Sequence, residues 1–420
     1  MDIKSIIKEQ REELERIEST ENIIPREGLE EAKKALGYPN FLAVLGIRRC
    51  GKSIFSYLLA KNSRTGYINF DDERLVELKS KDLDRILSAF YELYGDVDYI
   101  ILDEIQNIKN WELFANRLRR TKRVILTGSN SKLLSGELAT HLTGRYIGIK
   151  LFPFSFREFL EKKSFRKAEA YTAKEKAEIM NYLREYLQMG GFPEAYKFGR
   201  AMITRIYEDI LTKDILLKYQ ITKKEELKQL VNYLLTNFSQ EATYSKLARI
   251  LGIKHVSTIS NWIGYIENSF LIFRIERFDF KLKQQAIAPK KFYCIDPGII
   301  NSISFQFSEN IGRLIENEVA IELQRRIAPG SKIYYWKDYQ QHEVDFAVKT
   351  EKKITELIQV TYASNKNDIK ERELISLTKA SHKLKCQKLT VLTWDYESTE
   401  NSMQFIPLWK WLLEESSGLQ

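Results

Sequence analysis

The 420-residue sequence predicts an α/β chain that opens with a parallel sheet and divides into several domains. Three observations predict it. Short, continuous apolar runs alternate with helical stretches through the first third of the chain, the pattern of a parallel sheet covered on both faces. Residues 46–53, Gly-Ile-Arg-Arg-Cys-Gly-Lys-Ser, fit GxxxxGK[ST] at every specified position and lie between such a strand and a helix. The chain also exceeds what one hydrophobic core holds, since cores stop growing near roughly 250–300 residues.

Composition narrows the class. An apolar share of 44% suits a globular protein. Lys and Arg number 66 against 57 Asp and Glu, and the net charge of +9 makes the chain attractive to polyanions such as nucleic acid. The charged start, MDIKSIIKEQREELERIEST, lacks the apolar centre of a signal peptide, and no run of about 18 apolar residues occurs. A cytoplasmic protein without membrane contact is therefore expected. Cys50, Cys294 and Cys386 are widely separated, and the four histidines form no CxxC or HxxxH spacing. A disulfide framework and a zinc site are both excluded.

The elements follow in order. Residues 1–36 carry helical patterning broken at Pro25, and FLAVLGI, GYINFDD, VDYIILDE and KRVILTGSN read as four buried strands, with a helix after Gly51. Residues 1–154 form this first domain. From Ser155 the strand signals vanish, and KEKAEIMNYLREYLQM and RIYEDILTKDILLKYQ predict a helical subdomain over 155–235. TYSKLARILGIKHVSTISNWIGYIENSFLIFRIERF then spells helix, Gly-containing turn, helix and hairpin, the order of a winged helix-turn-helix over 236–298. Leu247, Ala248, Ile250 and Leu251 make the buried face of its first helix. A final α/β unit over 299–420 has a helix from Glu316 to Arg326, strands at IYYWKD, EVDFAVK, ITELIQVTY and LTVLTWD, and a helix near 369–384.

The motif over 46–53 has a physical reading. Glycines let backbone N–H groups turn inward around phosphate oxygens, and a helix beginning near Lys52 offers its positive end. Gly46, Ile47, Arg48, Arg49, Cys50, Gly51, Lys52, Ser53 and Ile54 would line the nucleotide, Lys52 would reach the β- and γ-phosphates, and Ser53 would bind Mg²⁺. YIILDEIQN supplies adjacent carboxylates at a strand end: Asp103 to hold Mg²⁺ and Glu104 to orient the attacking water. Ser129 and Asn130 are candidate sensors of the γ-phosphate. Arg145 is the candidate for stabilising transition-state charge, in cis or across a subunit contact in a homo-oligomer, with Arg48, Arg49, Arg119 and Arg120 as competitors. Cys50 should be shielded from alkylation by bound nucleotide. No guanine-reading NKxD stands out, which favours ATP.

GIRRCGKS, ILDEIQN, LTGSNSKLLS, LTGRY and LFPFSFREFL, followed by GGFPEAY, resemble prokaryotic AAA-type P-loop ATPases that carry a C-terminal restriction-endonuclease-like domain of the DUF4143 type. The resemblance runs over nearly the whole chain from about residue 20. It implies an AAA-like core, a winged-helix segment and a nuclease-like end, with ATP and Mg²⁺ as cofactors.

Two further surfaces carry chemistry. Lys254, His255, Ser257, Thr258 and Asn261 on the second helix of the helix-turn-helix, with Arg274, Arg277, Lys281 and Lys283 beyond it, form a candidate surface for duplex DNA. The same fold serves equally as a lid or an oligomer contact. In HEVDFAVKTEKKITELIQVTYA, restriction-type nuclease chemistry needs an Asp on one strand, then Glu or Gln two residues before Lys on the next. Asp345 and Gln359 fit as metal ligands, but Thr361 stands where Lys should be. Leu357, Gln359 and Thr361 share one strand face, which leaves Glu356 on the other. Glu316, Glu318 or Glu322 could add a carboxylate, and Lys366 or Lys370 an ammonium. A core degenerate for cutting is the expectation. The chain thus reads as an ATP-hydrolysing switch acting on DNA, with a protein-assembly module and an ATP-gated nuclease as alternatives.

Overall fold

The computed structural model describes residues 2–134, 144–165, 168, 170–304 and 310–414. The chain forms two compact units, one of residues 1–153 with 268–270, the other of residues 154–267 with 271–420.

In the first unit, β1 (Phe41–Leu45), β2 (Thr65–Asn69), β3 (Tyr99–Asp103), β4 (Arg123–Gly128) and β5 (Tyr146–Lys150) form a sheet of order β2-β3-β4-β1-β5. Every neighbouring pair is parallel. All of β1 and nearly all of β3 and β4 are buried, which is why they read as unbroken apolar runs. β5 was not anticipated, because it is an edge strand whose residues are partly or fully exposed and carry no apolar run. The helix Ile3–Thr20 begins at Asp2, whose carboxylate accepts from Lys4 N at 3.1 Å and Ser5 N at 3.3 Å. Its buried residues, Ile3, Ile6, Ile7, Gln10 and Leu14, recur at helical spacing. Gln10 continues the sheet edge with a side-chain amide: Asn69 N donates to Gln10 Oε1 at 2.9 Å, and Gln10 Nε2 donates to Asn69 O at 3.1 Å. The chain leaves β1 for β2 at the far edge, so the order reverses beside β1, and ligands of such sheets bind at that end of the strands.

The second unit is built on a nine-stranded mixed sheet of order β13-β14-β12-β11-β10-β9-β7-β8-β6. Its strands are β6 (Glu241–Ala242), β7 (Ile272–Arg277), β8 (Lys290–Cys294), β9 (Ser331–Lys337), β10 (Glu343–Thr350), β11 (Lys353–Val360), β12 (Leu389–Thr393), β13 (Ser398–Glu400) and β14 (Met403–Pro407). One core joins Phe159, Tyr186, Val319, Phe346 and Trp394, and a second joins Trp336, Leu357, Leu377 and Val391. The helices Ala173–Met189, Ile311–Arg326 and Glu371–Leu384 lie where the amphipathic patterning put them. The expected boundaries at 235/236 and 298/299 do not separate compact units. The sheet itself crosses the second boundary, because β7 pairs in parallel with β9 through Glu276↔Tyr334 and Arg277↔Tyr335. Pairing satisfies the N–H and C=O groups that an open edge would leave exposed.

Helices Lys224–Thr236, Tyr244–Ile250 and Val256–Asn268 precede β7, and β6, β7 and β8 associate in the order β6-β8-β7. Gly252 takes φ +64° in the turn between the latter two helices. Leu247 and Ala248 are buried as expected, whereas Ile250 is half exposed. β7 and β8 are joined by a long connection containing the helix Leu282–Ile287, in which no residue is buried. Among the described residues, no helix is long and apolar enough to cross a membrane.

Candidate functional site

The loop after β1 is shaped by sterics. A Cβ on Gly46 would lie 2.1 Å from the Leu151 carbonyl oxygen and 3.0 Å from Cys50 Sγ, so only glycine permits this approach. Gly51, at φ +99°, caps the helix Lys52–Leu59, and Arg49 also takes a left-handed conformation at φ +62°. Arg26, which sequence reasoning missed, fastens the loop from behind: its buried guanidinium donates to Cys50 O at 2.8 Å and to Phe152 O at 2.7 Å. No motif marks a residue that acts from so far upstream.

Cys50 belongs to the loop through its backbone, not its thiol. The side chain is fully buried with Sγ 3.4 Å from Leu151 O, and burial pushes the thiol pKa up. A thiol in this state is poorly reactive with or without nucleotide, so the expected protection from alkylation loses its contrast. Ile47 is buried, Ile54 partly so, and the Ile47 carbonyl accepts from Lys52 Nζ at 3.2 Å. Arg48 is turned to Asp71, at 2.9 Å.

Two carboxylates face this loop from the end of β3. Asp103 is completely buried, and its carboxylate accepts from the Tyr67 hydroxyl at 2.7 Å, from Thr127 Oγ1 and from Ser53. The Ser53–Asp103 contact joins the two residues singled out for Mg²⁺. Burial, reinforced by the neighbouring Glu104 charge, raises the Asp103 pKa against these hydrogen bonds. Tyr67 and Thr127 lie inside unremarkable strand sequences and carry no local signal.

Glu104 sits at φ +53°, in the left-handed region, where the chain turns out of the strand. Its N–H donates to Thr127 Oγ1 at 2.9 Å. Its carboxylate lies 3.3 Å from Lys52 Nζ and accepts from Ser129 N at 3.0 Å and from the Gln106 amide. Burial opposes ionisation of Glu104, but the Lys52 charge, the Gln106 and Ser129 hydrogen bonds and Arg48 outweigh it and bring the pKa to about 2. Lys52 is itself only 5% exposed and stays protonated against its own burial because of Glu104. Ser129 and Asn130 follow β4 as buried polar residues.

Lys52, Ser53, Asp103, Glu104 and Ser129 thus converge. A loop held to glycine at position 46 by its close approach to Leu151, and a hydroxyl–carboxylate pair of hard oxygens, fit a polyphosphate with a divalent cation. Arg145 does not join them within one chain. Its carbonyl accepts from Phe41 N at 2.9 Å at the start of β1, the opposite end of the parallel strands from Gly46 and Asp103. A five-residue strand is too long for the side chain to reach back to the loop of its own chain. Arg119, which donates to Pro39 O at 3.1 Å, lies at the same far end.

The second unit holds another polar cluster. Asp345 on β10 accepts from Gln359 Nε2 at 2.6 Å and Val360 N at 3.0 Å. Lys291 on β8, 3% exposed, lies 3.2 Å from Asp345, 3.0 Å from Glu316 and 2.7 Å from Glu343. The candidates Lys366 and Lys370 instead pair with Glu400 and Glu373. Glu318 and Glu322 are occupied by Tyr186 and by arginines 157, 325 and 326, which leaves Glu316 as the helix carboxylate that joins. Glu356 bonds Lys388 and Thr390, away from Asp345, as strand alternation requires. Sequence reasoning missed Lys291 because it precedes the supposed domain boundary. Among the described residues, no group of three or more His, Cys, Asp or Glu side chains is arranged to hold a metal ion.

Comparison with known proteins agrees with this anatomy. Residues 38–160 match the model of an AAA domain, residues 180–310 a domain of unknown function, DUF8612, and residues 311–411 another, DUF4143. The uncharacterized protein MJ1544 of Methanocaldococcus jannaschii is 34% identical over 401 residues, covering 89% of each chain. An uncharacterized Haemophilus influenzae protein is 28% identical over 396 residues, covering 89% of this chain and 95% of its own. Among solved structures, the Walker-type ATPase paby2304 of Pyrococcus abyssi aligns with 68% of this chain and 97% of its own, at 18% identity and a TM-score of 0.44. With a phosphate loop, facing carboxylates and matched models in sequence, the chain belongs to the AAA-type P-loop ATPase family that carries a C-terminal DUF4143 domain.

Proposed function

We propose that the chain is a Mg²⁺-dependent ATPase of the cytoplasm whose hydrolysis cycle switches its hold on duplex DNA. The observation that carries this reading is the convergence of Lys52, Ser53, Asp103 and Glu104 at one end of the parallel sheet. Bound Mg²⁺ supplies charge neutralisation of the phosphates, with Ser53 and Asp103 as its holders. Lys52 binds the β- and γ-phosphates and in doing so gives up its ion pair with Glu104. Glu104, ionised at neutral pH, then accepts a hydrogen bond from the attacking water. Ser129 and Asn130 contact the γ-phosphate, and Arg145 acts on a neighbouring copy in a homo-oligomer.

The DNA surface in this reading is a winged helix made of helices Tyr244–Ile250 and Val256–Asn268 with β6, β7 and β8. Lys254, His255, Ser257 and Asn261 are exposed at the start of the second helix, while Arg274 is engaged by Glu267 at 2.8 Å. One observation favours a protein partner instead: Phe280, Leu282 and Ile287, in the connection between β7 and β8, are 66–81% exposed. Steady-state ATP hydrolysis, with a Lys52→Ala control, with and without duplex or single-stranded DNA at two salt concentrations, separates the readings. Stimulation that disappears at higher salt supports the DNA switch. Lys52-dependent hydrolysis indifferent to DNA selects the protein partner.

A further inference from the structure

The ion pair of Arg48 and Asp71 lies across the phosphate site. Arg48 follows β1 in the loop, Asp71 follows β2, and Arg48 Nη1 donates to Asp71 Oδ2 at 2.9 Å. In the order β2-β3-β4-β1 the two strands are three spacings apart, about 14 Å. To meet Asp71, the Arg48 guanidinium must therefore extend over the ends of β4 and β3, where Ser129 and the Asp103–Glu104 pair stand. Its charge is felt there, because Arg48 is among the groups that keep Glu104 ionised. The anchor belongs to the same frame. Asp71 N donates to Asn69 Oδ1 at 2.9 Å, and Asn107, in the turn just after Glu104, donates to Phe70 O at 3.0 Å.

This pair is placed to exchange partners. Its side chains are 16% and 43% exposed, and an ion pair so open to water binds weakly. A terminal phosphate between Lys52 and Glu104 brings more negative charge than one carboxylate, and a guanidinium takes two phosphate oxygens at once. Of the candidate arginines, Arg145 and Arg119 lie at the far end of the strands, whereas Arg48 is at the near end. We propose that Arg48 rests on Asp71 and, when nucleotide binds, moves to the terminal phosphate of its own chain's site, where it neutralises charge developing in the transition state. The inference rests on the ATPase reading and assigns that reading a cation within the chain. Water oxygen bonds to the terminal phosphorus as the bond to the bridging oxygen breaks. Both water protons end on the released phosphate, so a triphosphate becomes a diphosphate and inorganic phosphate with no redox change.

The test follows ATP hydrolysis by the full chain, with Lys52→Ala as the control for the site. It also measures the binding of ADP with and without aluminium fluoride, which mimics the phosphoryl group in transfer. Arg48→Ala should keep ADP affinity within a few-fold, lower kcat on the order of a hundredfold, and lose the tighter binding that aluminium fluoride gives the wild type. If thermal unfolding shows that Arg48→Ala does not fold, Arg48→Lys carries the test: it keeps the charge without the fork, and kcat should still fall about tenfold. Asp71→Asn removes only the resting partner and should change kcat no more than a few-fold. Equal losses in Asp71→Asn and Arg48→Ala would make the pair a structural clasp and overturn the proposal. Mixing Arg48→Ala with Glu104→Gln should restore nothing, since both residues serve one chain's site; recovered turnover would place Arg48 across a subunit contact and overturn it too. An Arg48→Ala protein that turns over like the wild type sinks this inference and leaves the ATPase reading standing. A wild type without Lys52-dependent hydrolysis removes both.

Discussion

Replacing Gly46 with alanine tests the phosphate loop at its tightest point. The added methyl would stand 2.1 Å from Leu151 O, where van der Waals contact needs more than 3 Å, so one of two backbone segments must move by about 1 Å. Neither moves easily. Leu151 N donates to Leu45 O at 2.6 Å, Gly46 N donates to Gly128 O at 3.3 Å, and Cys50 Sγ closes the other side. Overpacking of this kind costs about 1–3 kcal/mol, and a broken buried hydrogen bond adds about 1 kcal/mol. A loss of about 3 kcal/mol in a domain this size lowers the melting temperature by roughly 6–12 °C. Nucleotide binding should be lost as well, since the displaced segment carries the loop. The assay is thermal unfolding with and without ATP and Mg²⁺, with Gly264→Ala as a control. A Cβ on Gly264 meets nothing within 4 Å inside a helix, so alanine there should stabilise by about 0.5–1 kcal/mol. A Gly46→Ala protein that melts like the wild type and gains the same stability from ATP would refute the steric argument.

Removing the Arg26 guanidinium orphans the Cys50 and Phe152 carbonyls; Arg26→Ala should cost about 2–4 kcal/mol and weaken nucleotide binding, as denaturant unfolding and ligand titration would report. Glu104→Gln should lower ATP turnover on the order of a hundredfold without weakening binding. Once the carboxylate is gone, the phosphates become the counter-charge of Lys52, and a Kd that rises would contradict that ion-pair exchange. Asp296 is 1% exposed and accepts from Gly191 N at 2.6 Å and Ile299 N at 3.2 Å; burial raises its pKa to about 6. A raised acid stabilises the fold below its unfolded pKa, and that contribution is lost as pH climbs through 6. The change from 3.8 to about 6 corresponds to roughly 3 kcal/mol, and melting curves between pH 4 and 7 should show the decline. Asp296→Asn should flatten it, and an unchanged slope would assign the effect elsewhere.

The sequence by itself determined four of the five strands of the first sheet and the phosphate loop. Strands buried on both faces must be apolar throughout, and a loop that wraps phosphate must place Gly, Lys and Ser at fixed spacing, so Phe41–Leu45, Lys52, Ser53 and the Asp103–Glu104 pair were legible from local pattern alone. Strand alternation likewise predicted that Glu356 turns away from Gln359. What local pattern does not encode is distance between residues remote in the chain. Arg26 reaches the loop from 24 residues upstream, and Lys291 reaches Asp345 from 54 residues away across a sheet junction. Arg145, adjacent in sequence to motifs of the site, lies at the far end of the strands because β5 runs parallel to β1. Edge strand β5 escaped notice because an exposed strand needs no apolar run. Periodicity reports which face of an element is buried; which elements meet, and so where each charge finds its partner, is fixed only when the sheet order is.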